Sequence, residues 1–321
     1  MPVRRLLAYA CIYILWSGSF LAIREIVGGA AGVQSVPPFF SAGFRFTVAG
    51  GLLLLFTQVR NRAPLSLRQF GSAAALGFVM FTCLYAALFW AETRLTSGIA
   101  AVVSAMIPVW IFAGEIFILR TQRATAIAVG GIALGFLGVA LLSLSGPARG
   151  SAAAHNSGVA VLVTLAGTVC WSGGTLWSRR LVLPQPQKVN AGWQMFLGGL
   201  LLLVLSAASG EGHRMPPPVV LLSARVVLSM AYLIFAASIV SYTAYVWLIA
   251  HDSPTRVSSY AYVNPVFALI LGAALAGERL TLLQMAGAAL VLAGVVATLM
   301  VRGNPAPQRR AADADRTAML R

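Results

Sequence analysis

Ten long apolar runs follow one another along this chain. The hydrocarbon core of a bilayer is about 30 Å thick, and a helix needs about 20 apolar residues to cross it. We therefore predict an all-α membrane protein with ten transmembrane helices. The predicted spans are residues 6–25, 39–59, 70–91, 97–119, 125–144, 158–178, 191–209, 226–250, 256–276 and 281–301.

The composition excludes most soluble classes of protein. Hydrophobic residues make up 59% of the chain and charged residues 10%, whereas soluble domains carry roughly 25% charged residues. The chain holds 23 basic and 8 acidic residues, but the basic ones lie between apolar runs, so nucleic acid is not a predicted partner. Neither an HExxH nor a GxSxG pattern occurs. We predict no enzymatic activity, no metal site and no cofactor.

The distribution of basic residues predicts the orientation. Segments on the side of the N-terminus hold 16 Lys and Arg residues, and segments on the other side hold 6. Because basic loops stay in the cytoplasm, we expect both termini there, in a multi-pass protein of the cell's inner membrane. An even number of spans is consistent with this. Residues 303–321 are rich in Pro, Ala and charge, which predicts a disordered cytoplasmic tail.

The chain also repeats itself. Trp-Ser-Gly at 16–18 returns 155 residues later at 171–173, and Ala-Gly-aromatic at 42–44 returns 149 residues later at 191–193. In addition, Tyr85, Pro108, Gly131 and Gly138 recur 156 or 157 residues later as Tyr242, Pro265, Gly287 and Gly294.

Five spans per copy is an odd number, so the second copy must enter the membrane from the opposite face. This predicts two inverted five-helix repeats, 1–147 and 148–302, around a central cavity. Such a pair can open a cavity to each side in turn. Inverted repeats also occur in channels, so the repeat alone leaves carrier and pore open.

Three motifs resemble a known family. The segment WSGSFLAIR at 16–24 is similar to the pattern W-G-x-x-F-x-x-x-K/R, Arg45-Phe46 resembles an R-F pair, and Pro265 with Glu278-Arg279 resembles a proline followed at a distance by an E-R pair. In this order, over about 6–301, they resemble the drug/metabolite transporter superfamily, in its ten-helix branch with two EamA-type domains.

The chain departs from the family pattern at three places. Ser17 replaces the usual Gly, Thr121 stands where Glu278 stands in the second half, and Gln194 stands where Arg45 stands in the first. A role carried by Arg45 or Glu278 therefore belongs to one half only.

The resemblance implies a transporter of small metabolites or drugs, often amino acids, that usually works outward. It also implies a cavity lined by helices one, three, four, six, eight and nine. We expect a secondary transporter, an exporter of a small neutral or zwitterionic metabolite, that works by alternating access. The alternatives are a multidrug exporter and a uniporter or channel-like facilitator. A small-molecule substrate and the lipid bilayer are the expected partners; proton coupling or downhill flux stay open.

Aromatic, polar and proline positions inside the spans are the candidate cavity residues. A deep Trp needs a hydrogen-bond partner or a cavity, and a proline frees backbone carbonyls in the middle of a helix. The alternative for each is packing or hydrogen bonding between helices. The candidates are Trp16, Ser17, Tyr85, Ser104, Pro108, Trp171, Ser172, Tyr242, Tyr260, Asn264 and Pro265.

Two ionisable residues inside the spans are candidates for a gate or a charge site. Arg45 lies about 9 Å into the second span, where an ion indicates function unless its long stem reaches the interface. Glu115 lies near the end of the fourth span, and Arg120 is placed to pair with it. The sequence places no acid near the middle of any span, which argues against obligate export of cationic drugs.

Overall fold

The computed structural model describes residues 3–28, 35–58, 65–120, 124–144, 157–178, 180–252, 257 and 259–300. This part of the chain forms ten long helices and no strand. The helices are α1 Val3–Val27, α2 Pro38–Gln58, α3 Leu67–Glu92, α4 Ser97–Ile118, α5 Ala126–Leu144, α6 Ser157–Ser178, α7 Gln187–Ala208, α8 Ala224–Ile249, α9 Tyr260–Ala276 and α10 Leu282–Met300. The predicted tail at 303–321 lies outside the described residues.

Each helix coincides with one of the apolar runs. Helices α1 to α8 are long and apolar enough to cross a membrane, and α9 and α10 contain the shorter apolar stretches Val263–Ala276 and Leu282–Thr298. A helix satisfies its backbone N–H and C=O groups internally, which hydrocarbon requires because it offers no water. The fold is therefore that of an all-helical, multi-pass membrane protein.

The polar residues at helix starts fix several boundaries. Ser66 and Gln69 form a reciprocal capping box at the start of α3, with N–H···O distances of 3.2 and 3.0 Å. Thr281 and Gln284 do the same for α10, at 3.2 and 2.9 Å. These side chains satisfy N–H groups that the first turn of a helix leaves without a partner.

Four helices are not uniform α-helices. Segments with π-helical bonding interrupt α1, α3, α4 and α8 at Cys11–Leu15, Gly77–Cys83, Gly114–Ile118 and Tyr232–Val240. Helix α4 also breaks at residues 105–106, just before Pro108, whereas Pro265 lies inside the continuous helix α9. The two equivalent prolines thus have different local backbone conformations: Pro108 follows a break in its helix, and Pro265 lies inside an unbroken one.

Two pairs of equivalent helices pack closely and run antiparallel. In the pair α5 and α10, a Cβ atom added at Gly131 would lie 2.9 Å from the carbonyl oxygen of Gly294, and one at Gly138 would lie 2.6 Å from that of Gly287. In the pair α2 and α7, Gly50 faces the backbone of Phe196, and Gly199 faces that of Thr47. Only glycine permits such backbone contact between helices.

The helix ends form two layers at opposite ends of the bundle. The Glu92 end contains Arg24, the start of α2, Glu92 and Ser97, and the Arg24 Nη1 donates to the Glu92 carbonyl oxygen at 2.6 Å. The Asp252 end contains Arg5, Tyr9 and Asp252. There the Arg5 Nε lies 3.8 Å from Asp252 Oδ2, to which Tyr9 Oη donates at 3.1 Å.

Candidate substrate cavity

A cavity of about 70 Å³ lies in the middle of the bundle, between α1, α3, α4, α6 and α9. Helix α8, which the family resemblance adds to the cavity wall, contributes no residue to the described lining. The lining residues are Trp16, Ser19, Phe20, Leu84, Tyr85, Leu88, Ala101, Ser104, Ala105, Ile107, Trp171, Tyr260, Ala261, Asn264 and Pro265.

The cavity contains seven of the eleven cavity residues predicted from the sequence: Trp16, Tyr85, Ser104, Trp171, Tyr260, Asn264 and Pro265. The other four, Ser17, Pro108, Ser172 and Tyr242, are buried beside it. Ser17 and Ser172 support the wall from behind. The Ser17 hydroxyl lies 3.2 Å from the Asn264 amide, and Ser172 Oγ donates to the Ile107 carbonyl oxygen at 3.0 Å.

The two tryptophans of the wall are held differently. Trp16 Nε1 donates to the Ala237 carbonyl oxygen at 2.9 Å, and its ring packs edge-on against Tyr260 with 5.1 Å between centroids. Trp171 is 4% exposed and its Nε1 has no hydrogen-bond partner among the described residues. Its ring packs against Phe81 at 5.7 Å and Tyr85 at 6.3 Å. A residue of the cavity wall therefore carries a buried N–H donor without a partner among the described residues.

Among the described residues, no Asp, Glu, Lys, Arg or His lines the cavity. Its polar groups are neutral: serine hydroxyls, the Asn264 amide, tyrosine hydroxyls and indole N–H groups. An ion taken from water into such a site finds no charge of opposite sign, which is costly in a water-poor interior.

Arg45 lies buried behind the cavity wall. Its side chain is 1% exposed, and its Nε donates to Ser238 Oγ at 2.9 Å. The guanidinium carbon lies 4.5 Å from the ring centroid of Phe46 and 5.3 Å from that of the cavity residue Tyr85. Nη1 has no hydrogen-bond partner among the described residues. Ser238 was not predicted, because a lone serine in an apolar run gives no signal.

Glu115, the second charge candidate, is half-buried in the π-helical segment Gly114–Ile118 of α4. It does not belong to the described cavity lining. Its role, as well as that of Arg45, stays a prediction.

Of the acidic residues at the Glu92 end, the sequence pointed to Glu278 through its family motif, but not to Glu92 or Glu211. Glu278 accepts from the Ser97 N–H at 2.8 Å and the Ser97 hydroxyl at 2.9 Å, which caps α4. Glu211 accepts from the N–H groups of Phe39 and Phe40 at 3.1 and 2.8 Å, which caps α2. Glu92 is fully buried. The available signal was the position of each acid beside an apolar run.

A second cavity of about 310 Å³ opens at the Glu92 end, where Trp90, Thr93, Arg94, Glu211 and Arg214 contribute to its lining. The Arg94 guanidinium carbon lies 3.9 Å from the centroid of the Trp90 ring, and Nη1 donates to Thr93 Oγ1 at 2.6 Å. Partial burial lowers the pKa of Arg94 from its ordinary value. Charged groups thus lie at the mouth of the bundle, outside the neutral central cavity.

A bundle of membrane helices around a small, neutral, aromatic cavity is typical of transporters for small molecules. Comparison with known proteins agrees. The family model for the EamA-like transporter family matches residues 6–144 and 158–300, and the chain belongs to this family. The resemblance inferred from the sequence is thereby confirmed.

Named relatives indicate a transporter rather than an enzyme. The chain is similar to an uncharacterized inner membrane transporter, YedA, of Escherichia coli (strain K12), with 34% identity over 295 residues, 91% of this chain and 90% of the relative. It is also similar to a probable amino-acid metabolite efflux pump of Salmonella typhimurium, with 26% identity over 290 residues, 88% and 91% of the two chains. A crystal structure with 20% identity shares the fold, with a TM-score of 0.62 over 94% of this chain and 98% of the other.

Proposed function

We propose that this transporter is a secondary exporter that carries a small metabolite without net charge, such as a zwitterionic amino acid, by alternating access. In this proposal ten helices cross the inner membrane as two inverted five-helix repeats, 1–147 and 148–302, with both termini in the cytoplasm. The observation that carries the proposal is the central cavity, because it is lined from both halves and holds no ionised side chain.

The helix contacts support the inverted arrangement. Under the 156-residue offset Gly131 corresponds to Gly287 and Gly138 to Gly294. If each residue is replaced by its equivalent in the other half, the contact between Gly131 and Gly294 therefore becomes the contact between Gly287 and Gly138. Such reciprocal contacts are what a two-fold axis between antiparallel copies produces.

The pair α2 and α7 behaves in the same way. Under the 149-residue offset Gly50 corresponds to Gly199 and Thr47 to Phe196. The contact between Gly50 and Phe196 is then exchanged with that between Gly199 and Thr47. Two helix pairs thus support one axis, and a shared cavity beside such an axis suits alternating access.

The polar groups of the cavity support a small zwitterionic or neutral substrate. The free Trp171 N–H is a donor for a carboxylate or carbonyl oxygen, and an unpaired buried donor costs about 1–3 kcal/mol until a ligand meets it. The hydroxyl of Ser104 and the amide of Asn264 also line the cavity. The outward direction is supported by the printed name of the Salmonella typhimurium relative, a metabolite efflux pump.

Counterflow in proteoliposomes tests the proposal. Vesicles loaded with one unlabelled amino acid are diluted into the labelled compound, and a panel of neutral amino acids, lysine, glutamate and lipophilic cations is compared. We expect transient accumulation of one or a few neutral amino acids and none of the ions. Saturable exchange identifies a carrier, whereas flux that does not saturate indicates a channel. Transport of lipophilic cations alone would refute the proposal and favour a multidrug exporter.

A further inference from the structure

We propose that Glu92 is a proton-binding site, and that a proton on its carboxyl group is required for the Glu92 end to close. The inference rests on the proposed alternating-access function, because it names the ligand that controls one of the two closures. The proton comes from the compartment that this end faces.

The isolation of the Glu92 carboxyl group is the first observation. The side chain is 0% exposed, and neither Oε1 nor Oε2 has a hydrogen-bond partner among the described residues. Glu211 and Glu278, at the same end, use both oxygens to accept hydrogen bonds from helix starts. A bare carboxylate without water or a donor is strongly disfavoured, whereas a neutral carboxyl group costs far less to bury.

The surrounding charges are the second observation. Glu92 lies within electrostatic range of Arg24 from α1, Arg45 from α2 and Glu278 from the segment between α9 and α10. Yet each arginine makes its hydrogen bond to another group. Arg24 Nη1 donates to the main-chain oxygen of Glu92, and Arg45 Nε donates to Ser238. Glu278 adds a negative charge. Neither cation therefore pairs with the Glu92 carboxylate in this conformation.

Opening of the Glu92 end changes both conditions. Water reaches the carboxyl group, its proton leaves to that water, and the carboxylate gains solvent and the free Arg45 Nη1 as partners. The closed form thus holds one more proton than the open form. By linkage, raising the pH at this end shifts the population toward the open form, by at most about tenfold per pH unit.

Hydrogen exchange of the protein in nanodiscs tests this without any substrate. Amide exchange is followed at the start of α4 from about pH 5 to about pH 8, with Glu92→Gln at each pH as the reference for chemical exchange. We expect the native protein to exchange like Glu92→Gln at low pH and several-fold faster at high pH. Equal exchange at every pH would overturn the proposal.

Three further variants serve as controls for the hydrogen-exchange experiment. Glu92→Asp should keep the pH dependence, and Glu92→Met should lose it as Glu92→Gln does, so the result does not rest on one variant that folds poorly. Glu211→Gln removes another buried carboxylate of the same end, and should keep the pH dependence. Loss of the dependence in Glu211→Gln but not in Glu92→Met would refute the assignment.

Counterflow with the pH changed on one side of the vesicles separates this proposal from the proposed function. We expect alkaline pH at the Glu92 end alone to slow exchange, and Glu92→Gln to exchange at all pH values without this effect. If no compound is exchanged, the proposed function fails, and the hydrogen-exchange result still decides on Glu92. A proton gradient that drives substrate accumulation equally in native protein and Glu92→Gln would overturn the proton site.

Discussion

The two halves of the chain differ most at one pair of equivalent positions, Arg45 in α2 and Gln194 in α7. Both are buried, and each lies near a tyrosine of its own half. The Gln194 amide is satisfied: Oε1 accepts from Tyr242 at 2.9 Å, and Nε2 donates to Asn190 Oδ1 at 2.9 Å. Arg45 instead places its charge against the Phe46 and Tyr85 rings.

A duplicated fold therefore need not have equivalent ends. The hydrogen bonds around Gln194 join neutral groups. Bonds of this kind are exchanged for hydrogen bonds to water at little net cost in free energy. Around Arg45, by contrast, the guanidinium has no carboxylate hydrogen-bonded to it in the described structure. The free energies of opening toward the two sides should therefore differ, which gives a transporter a preferred resting state.

The largest loss of stability is expected when the neutral residue Gln194 is replaced by a charged one. Gln194→Arg places a second guanidinium in a buried position that holds no compensating acid among its described partners, and should destabilise the protein by about 3–5 kcal/mol. Thermal unfolding in detergent measures the loss. Arg45→Gln, which makes both positions neutral, is the matched control and should cost much less. Equal stability of Gln194→Arg and the native protein would mean that the two positions are interchangeable.

A smaller loss of stability is expected at the glycines of α5 and α10, where the two halves are alike. Added Cβ atoms would lie 2.6 Å from the nearest backbone at Gly138 and 2.5 Å at Gly294, but 2.9 Å at Gly131 and 3.0 Å at Gly287. Alanine at the two tighter positions should each cost about 2–3 kcal/mol, and at the two looser ones about 1 kcal/mol.

Stability in a denaturing-detergent titration measures this series. Under the proposed two-fold axis, Gly138→Ala should match Gly294→Ala, and Gly131→Ala should match Gly287→Ala. A larger difference inside an equivalent pair than between the pairs would count against the axis.

The smallest effect separates the two tryptophans. Trp16→Phe loses the hydrogen bond to Ala237 and should destabilise the protein by about 1 kcal/mol, whereas Trp171→Phe loses none. Trp171→Phe should instead raise the KM for exchange roughly five-fold, because one hydrogen bond to substrate is lost. Unfolding midpoints and counterflow kinetics measure the two variants. An unchanged KM in Trp171→Phe would remove Trp171 from substrate recognition.

The sequence predicts the positions of the helices well, because each span needs a long apolar run and the loops between them are polar or rich in glycine and proline. It also predicts about half of the residues that line the cavity. These are aromatic and polar residues deep in the spans, such as Trp16, Trp171 and Asn264. These residue types are expensive to place against lipid, so they turn inward whatever the exact packing.

The rest depends on rotation about the helix axes, which an almost uniformly apolar run does not encode. The π-helical segment Tyr232–Val240 of α8 illustrates the difficulty. One extra residue in a turn rotates all following side chains by about 100°. Tyr242 follows this segment and bonds to Gln194 rather than lining the cavity. The isolation of Glu92 likewise depends on where Arg24 and Arg45 find their partners.

The backbone contact between α5 and α10 has a mechanical consequence. Because Gly131, Gly138, Gly287 and Gly294 bring no side chain of their own, main-chain atoms of the two helices approach each other directly, which restricts sliding and rolling. Any movement of α5 relative to α10 therefore has to separate these main-chain contacts first.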